Sequence, residues 1–300
     1  MDAIESGLVK IPQLPLRDTT GAITSNVAYF NIWQWIMGKM TPSERGGKTN
    51  SPKPEAVLKY AQSPIALLAG QWEQTREEWL QSPDDPRPPV FIIVCKNTKI
   101  ARLVYEWIAE DKKPTNVAPF ATKSLKNTEA ETNTIRVDSK VVEELESGNT
   151  KSDESKWMRF TLDTVGLVDW PKDGQGRSLY PDGFTSLAIK IGKPLHPPGR
   201  DIRCIISVGM LTEGWDCRTV THIIGIRPFM SQLLCEQVVG RGLRRRTYEI
   251  DENDRFSEET AKIFGVPFEV TPFKANPNGA THKPEKRNRI YSVAFNWSLD

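Results

Sequence analysis

Three short runs limit the fold more than any other feature. "VFIIVC" (90–95), "DIRCIISVG" (201–209) and "VTHIIGI" (220–226) are almost unbroken apolar stretches rich in β-branched residues. A strand with one wet face alternates apolar and polar residues. A strand without alternation must be covered on both faces, as in a parallel sheet held between two layers of helices. The first run leads to Asn97, a good helix cap, and then to Ile100, Leu103, Val104, Trp107 and Ile108 at helical spacing. The third leads to Ser231, a second cap, and the helical run "SQLLCEQVVG". "TIRVDS" (134–139) reads as a further short strand. The expectation is an α/β protein built on a parallel sheet flanked by helices.

The flanks are less regular. Residues 1–24, with "SGLVKIPQLPL", read as a strand or extended connector in which Pro12 and Pro15 limit regular structure. Residues 25–40 place Val27, Phe30, Trp33, Met37 and Met40 at helical spacing after a possible cap at Ser25. Two helices are expected over about 54–62 and 63–81, because Ser63-Pro64 has the form of a cap and first turn. Trp72 and Trp79 fall on one helix face and read as core. "SPDDPRPP" (82–89) is a linker by composition. Residues 140–200 are charged and rich in Gly and Pro, as a surface insertion would be. The organisation expected is a connector and helical segment over 1–89, the sheet domain over 90–250 with an insertion at about 111–200, and an extension over 251–300 toward a missing downstream domain. A short strand is expected at 290–296.

The net charge of +2 leaves any preference for anions to local patches. No 18-residue apolar run occurs, and "MDAIESGLVK" lacks the apolar core of a signal peptide, so the expected setting is cytoplasmic, away from membranes. The four cysteines and three histidines show no ligand spacing, so no metal is expected and the cysteines read as reduced and buried.

Against that neutral background "CEQVVGRGLRRRTYEI" (235–250) stands out. Arg241, Arg244, Arg245 and Arg246 repel one another unless carboxylates or a bound anion lie among them. On a continuous helix Gln237, Arg241 and Arg244 share one face, and Gly240 would loosen the helix and admit a ligand to the backbone. Upstream, "MLTEGWD" puts Thr212, Glu213, Gly214 and Asp216 after a strand, at the carboxyl edge where parallel α/β sheets hold ligands. Guanidinium forks suit phosphate oxygens. A plainer reading is a solvated basic patch at a helix C-terminus, favoured by about 0.3–1 kcal/mol.

Here the text resembles a known family. "SVGMLTEGWDC" looks like motif V of superfamily 2 DEAD/DEAH-box helicases, "EQVVGRGLRR" like motif VI, and "FIIVCKNTKIA" like motif IV, in the order of the second RecA-like domain. "DAIESGLVKIP", "TPSERGGK", "KPEAVLKYA", "SQLLCEQVVGRGLRRR" and "FGVPFEV" are similar to the restriction subunit of type III restriction enzymes. The resemblance implies a RecA-like sheet flanked by helices, with Arg244 as arginine finger and Arg241 as the second catalytic arginine. It implies Gln237, Gly214, Asp216 and Gly240 near the nucleotide, and Asn97, Thr98 and Thr212 on the nucleic-acid backbone. The implied cofactor is ATP with Mg2+. The implied partners are DNA, a first RecA-like lobe holding most of the ATP contacts, and a modification methyltransferase subunit.

Parts of such a motor are not found in the sequence. "TPSERGGKT" offers Gly47, Lys48 and Thr49, but Pro42 stands where a phosphate loop needs its first glycine, so a surface loop is expected. No acidic DEAD or DEAH box occurs, and Pro181-Asp182 leads to "LAIK" without the acid a nuclease site requires. The chain therefore reads as a motor's C-terminal lobe, inactive alone. The alternatives left open are a non-catalytic nucleic-acid-binding remnant of a helicase, an interaction protein for an acidic partner, and an RNA helicase lobe.

Overall fold

The computed structural model describes residues 7–14, 29–47, 51–81, 85–137, 152–208, 215–250 and 256–267. Six strands form one sheet: β1 (Ile11–Gln13), β2 (Val90–Cys95), β3 (Thr134–Val137), β4 (Cys204–Ser207), β5 (Val220–Ile226) and β6 (Thr260–Phe264). Their order is β1-β6-β5-β2-β4-β3, and every neighbouring pair is parallel. Among the described residues the α-helices are α1 (Ile32–Lys39), α2 (Pro54–Leu80), α3 (Thr98–Ala109), α4 (Asp153–Asp163), α5 (Phe184–Lys190) and α6 (Gln232–Gly242). The expected α/β parallel sheet is thus what the chain forms, an arrangement compatible with a RecA-like domain.

The apolar runs explain the layering. Every residue of β2, β4 and β5 is buried. Phe91, Ile93, Cys95, Ile206 and Ile224 join one core with α1, α2 and α3. Ile92, Val94, Ile205 and Ile223 join the opposite core with Leu162, Val165, Val238 and Val239. Each such side chain contributes roughly 1.5–3 kcal/mol through burial. Covering on both faces is the condition anticipated from the missing alternation.

Two helical expectations are corrected. The first helix begins at Ile32, not 25, because the Asn31 side chain accepts the Gln34 amide and caps it there. Ser25 and Val27 lie outside the described residues. The two helices expected over 54–81 are one, with Pro64 inside it. An interior proline lacks a helical donor and costs about 3 kcal/mol. The apolar stripe explains the continuity: Val57, Leu58 and Ala61 before the proline, and Ile65, Leu68 and Trp72 after it, enter the same core. The Trp72 indole donates to the Pro89 carbonyl at 3.1 Å. Trp79, expected in the core, is half-buried and sits against the Arg246 guanidinium, 4.3 Å from its ring centroid.

The sheet draws strands from all three stretches distinguished in the sequence. β1 precedes the sheet domain expected over 90–250, β6 follows it, and β3 lies within the segment about 111–200. The buried Lys10 ammonium anchors β1, donating to the Arg218 and Val220 carbonyls at 2.7 and 2.6 Å. The later part of that segment carries α4, α5 and an aromatic cluster of its own around Trp170 and Phe184. The four cysteines are free and buried. Among the described residues no helix is long and apolar enough to cross a membrane, and no group of residues could hold a metal ion. Residues 290–296 lie outside the described residues.

Candidate functional site

The Ser231 hydroxyl caps α6 by accepting the Leu234 amide. α6 links β5 to β6, its parallel neighbour. A helix joining two adjacent parallel strands runs back against them, so α6 starts at the carboxyl edge and ends at the amino edge. The backbone bears this out: the Leu243 carbonyl accepts the Lys10 amide, just before β1, and the Lys10 ammonium reaches Val220, the first residue of β5. Arg241 and Arg244 therefore lie toward the amino edge. The sequence-based expectation of a carboxyl-edge site for the arginines and Asp216 is overturned. It assumed that the loop stays where β4 ends, whereas Trp215 and Asp216 are already close to the start of β5.

There the two segments meet. Arg241 Nη1 donates to the Trp215 carbonyl at 2.8 Å, and Arg244 Nη1 to the same carbonyl at 3.3 Å. Arg244 Nη1 also pairs with Asp216 Oδ1 at 2.6 Å. Trp215 is fixed from below, its buried indole donating to the Leu162 carbonyl at 2.8 Å, and the Arg241 guanidinium lies 5.6 Å from its ring centroid. Burial, helped by the Arg244 charge, pushes the Arg241 pKa down. The ordinary arginine value is high enough that the charge persists. The Arg244 side chain is 43% exposed, so its ion pair is screened and worth about 0–1 kcal/mol. That pair can be exchanged for a stronger anion at little cost.

The other two arginines turn away. Arg245 is buried, donates to the Thr247 and Ser257 carbonyls, and lies 3.4 Å from Glu259 and against the Phe256 ring. The Arg246 amide donates to Glu259 at 2.7 Å, and its guanidinium is 3.4 Å from Asp85. The repulsion inferred from four clustered arginines is thus relieved by dividing them among Asp216, Glu259 and Asp85. Only Arg241 and Arg244 converge.

Gly240 does not loosen the helix. It is helical, and a Cβ there would meet nothing within 4 Å. Gly242 is the glycine that packing demands, since a Cβ there would lie 2.8 Å from Ile223 Cδ1. Gln237 is exposed, one turn before Arg241.

Asn97 and Thr98 follow β2 at the carboxyl edge, away from the arginines. Asn97 Oδ1 accepts the Ile100 amide at 3.0 Å, and Thr98 is exposed. Unpaired amides in this first turn offer a phosphate the usual helix N-terminal contacts. Thr212 and Gly214 lie outside the described residues. In "TPSERGGKT" the described part is an exposed turn in which Glu44 accepts the Thr41 amide and hydroxyl. No strand leads into it, and Lys48 and Thr49 lie outside the described residues. The group missed from sequence is the Trp215 carbonyl that both arginines share, a backbone atom that no side-chain pattern announces.

No family model and no curated protein matches the chain.

Proposed function

We propose that the chain is the second RecA-like lobe of an ATP-dependent DNA motor of the type III restriction kind. On this reading Arg244 reaches the terminal phosphate of ATP held by a first lobe, and Arg241 supports it. The observation that carries the proposal is the convergence of Arg241 and Arg244 on Trp215 and Asp216, which joins two segments far apart in sequence into one basic site. A lobe that supplies arginines to a nucleotide bound elsewhere needs no phosphate loop beside them. Its arginines need only be charged and within reach of the ligand, and Arg244, exposed and held by an exchangeable pair with Asp216, meets those terms. Asn97 and Thr98 at the other edge would touch backbone phosphates, the role that the resemblance also implies for Thr212. Such contacts give affinity without sequence readout.

The step required of this chain is electrostatic. As charge shifts onto the leaving oxygen, a guanidinium within bonding distance stabilises it, which is worth about 10³–10⁵ in rate. Mg2+ with the ATP would be held mainly by the first lobe. Asp216 then acts as a keeper that fixes the Arg244 tip until a phosphate displaces it. The test is ATP turnover by the chain alone and with a phosphate-loop lobe added in trans, both with DNA present. The expected result is no turnover alone, and turnover in the mixture that Arg244→Ala lowers by about 10³ or more. Turnover by the chain alone that Arg244→Ala abolishes would sink the proposal. Salt-sensitive DNA binding indifferent to nucleotide and lobe would favour a non-catalytic binding module.

A further inference from the structure

A second basic site lies on the amino edge. Between the end of α2, the proline-rich segment before β2 and the segment before β4 there is an open cleft of about 500 Å³. Its apolar lining includes Trp79, whose ring also carries the Arg246 guanidinium 4.3 Å from its centroid, with Pro88 and Pro89. Arg87, Arg200 and Arg203 supply cationic lining. Two of them have carboxylates: Arg87 pairs with Asp85 at 2.6 Å and Arg200 with Asp201 at 3.0 Å. Asp85 is shared, since Arg246 also lies 3.4 Å from it. Arg203 forms no ion pair among the described residues, and its Nη1 donates to the Ser124 carbonyl at 3.1 Å. Arg246 Nη1 is buried without an acceptor. The cleft thus carries an excess of guanidinium charge beside a wall suited to an aromatic ring.

We propose that this cleft binds a nucleoside phosphate, with its base along Trp79 and the prolines and its phosphate at Arg203 and Arg87. The volume suits one nucleotide, and a ring-plus-anion ligand satisfies both walls together, which inorganic phosphate does not. Flat aromatic walls hold bases without regard to sequence, and guanidinium forks hold phosphate oxygens. The ligand is either a free nucleotide or one unit of a single strand, since both present the same chemistry. The inference is independent of the motor reading, because Arg241 and Arg244 do not line the cleft.

The test is calorimetric titration of the full chain with adenosine monophosphate and with inorganic phosphate, followed by competition with an oligo-dT strand. The monophosphate should saturate and bind at least about fivefold more tightly than phosphate. Arg203→Gln should weaken it by about tenfold. Arg200→Gln, on the exposed rim, should weaken it in the same direction and decides the matter if the first variant does not fold. Tighter binding of the oligonucleotide assigns the site to a single strand, and weaker binding assigns it to a free nucleotide. No saturation, equal affinity for phosphate and monophosphate, or unchanged binding in the folded variants would overturn the proposal.

Discussion

Two glycines two positions apart on α6 do different work. Gly240 faces open space, so Gly240→Ala should raise stability by about 0.5–1 kcal/mol through helix propensity. Gly242 lies against the end of Ile223, so Gly242→Ala should lower it by about 1 kcal/mol, the mild end of overpacking, because that methyl can shift. Urea midpoints of the two variants should move in opposite directions, and a shared direction would contradict the packing described. His222 makes a pH prediction. It is buried, with Nδ1 2.8 Å from the Thr221 hydroxyl and Nε2 without a partner. Burial, aided by the Lys262 and Lys10 charges, pulls its pKa well below 6.5. The folded imidazole stays neutral where the unfolded one takes a proton. Stability is therefore lost as pH falls through about 6.5, at about 1.4 kcal/mol per pH unit until the folded group titrates. Unfolding measured from pH 7 to 5 should slope less in His222→Leu than in the parent. Equal slopes would rule His222 out as the cause.

At the scale of elements, Pro64 interrupts the hydrogen bonds of α2 without ending it. Pro64→Ala restores a donor to that turn but gives up some buried ring, so a net gain of about 1 kcal/mol is expected, read as a rise in Tm. A loss would mean that the ring's packing outweighs the missing bond. The same helix shows why local signals mislead: Ser63-Pro64 has the form of a start, and only the stripe running through it says otherwise. β2 and β5 were legible because burial on both faces leaves no alternation, and the caps at Asn97 and Ser231 because one oxygen suffices. β1 and β6 were not. They span three and five residues, and what makes them strands is a partner at the other end of the chain. Missing β6 also hid the direction of α6. Gln237, Arg241 and Arg244 could be placed on one helix face, but not on one edge of the sheet.

For the whole molecule, the carboxyl edge offers Asn97 and Thr98, and the amino edge gathers Arg241, Arg244 and the cleft beside Trp79. On the reading proposed above, two anionic partners meet separate edges of the sheet and do not compete for one surface. The β1–β6 pairing also has a consequence in time. Ile11 sits beside Thr260, so as the chain leaves the ribosome β1 has no neighbour until almost everything described has been made. β2, β4 and β5 can pair sooner, around their apolar runs. Parallel pairing across so long a loop is slow, because the closure entropy comes due before any contact rewards it. The edge formed by β1 is therefore the last seam to close, and until it does β6 stands as a bare edge on which a second nascent copy could pair in its place.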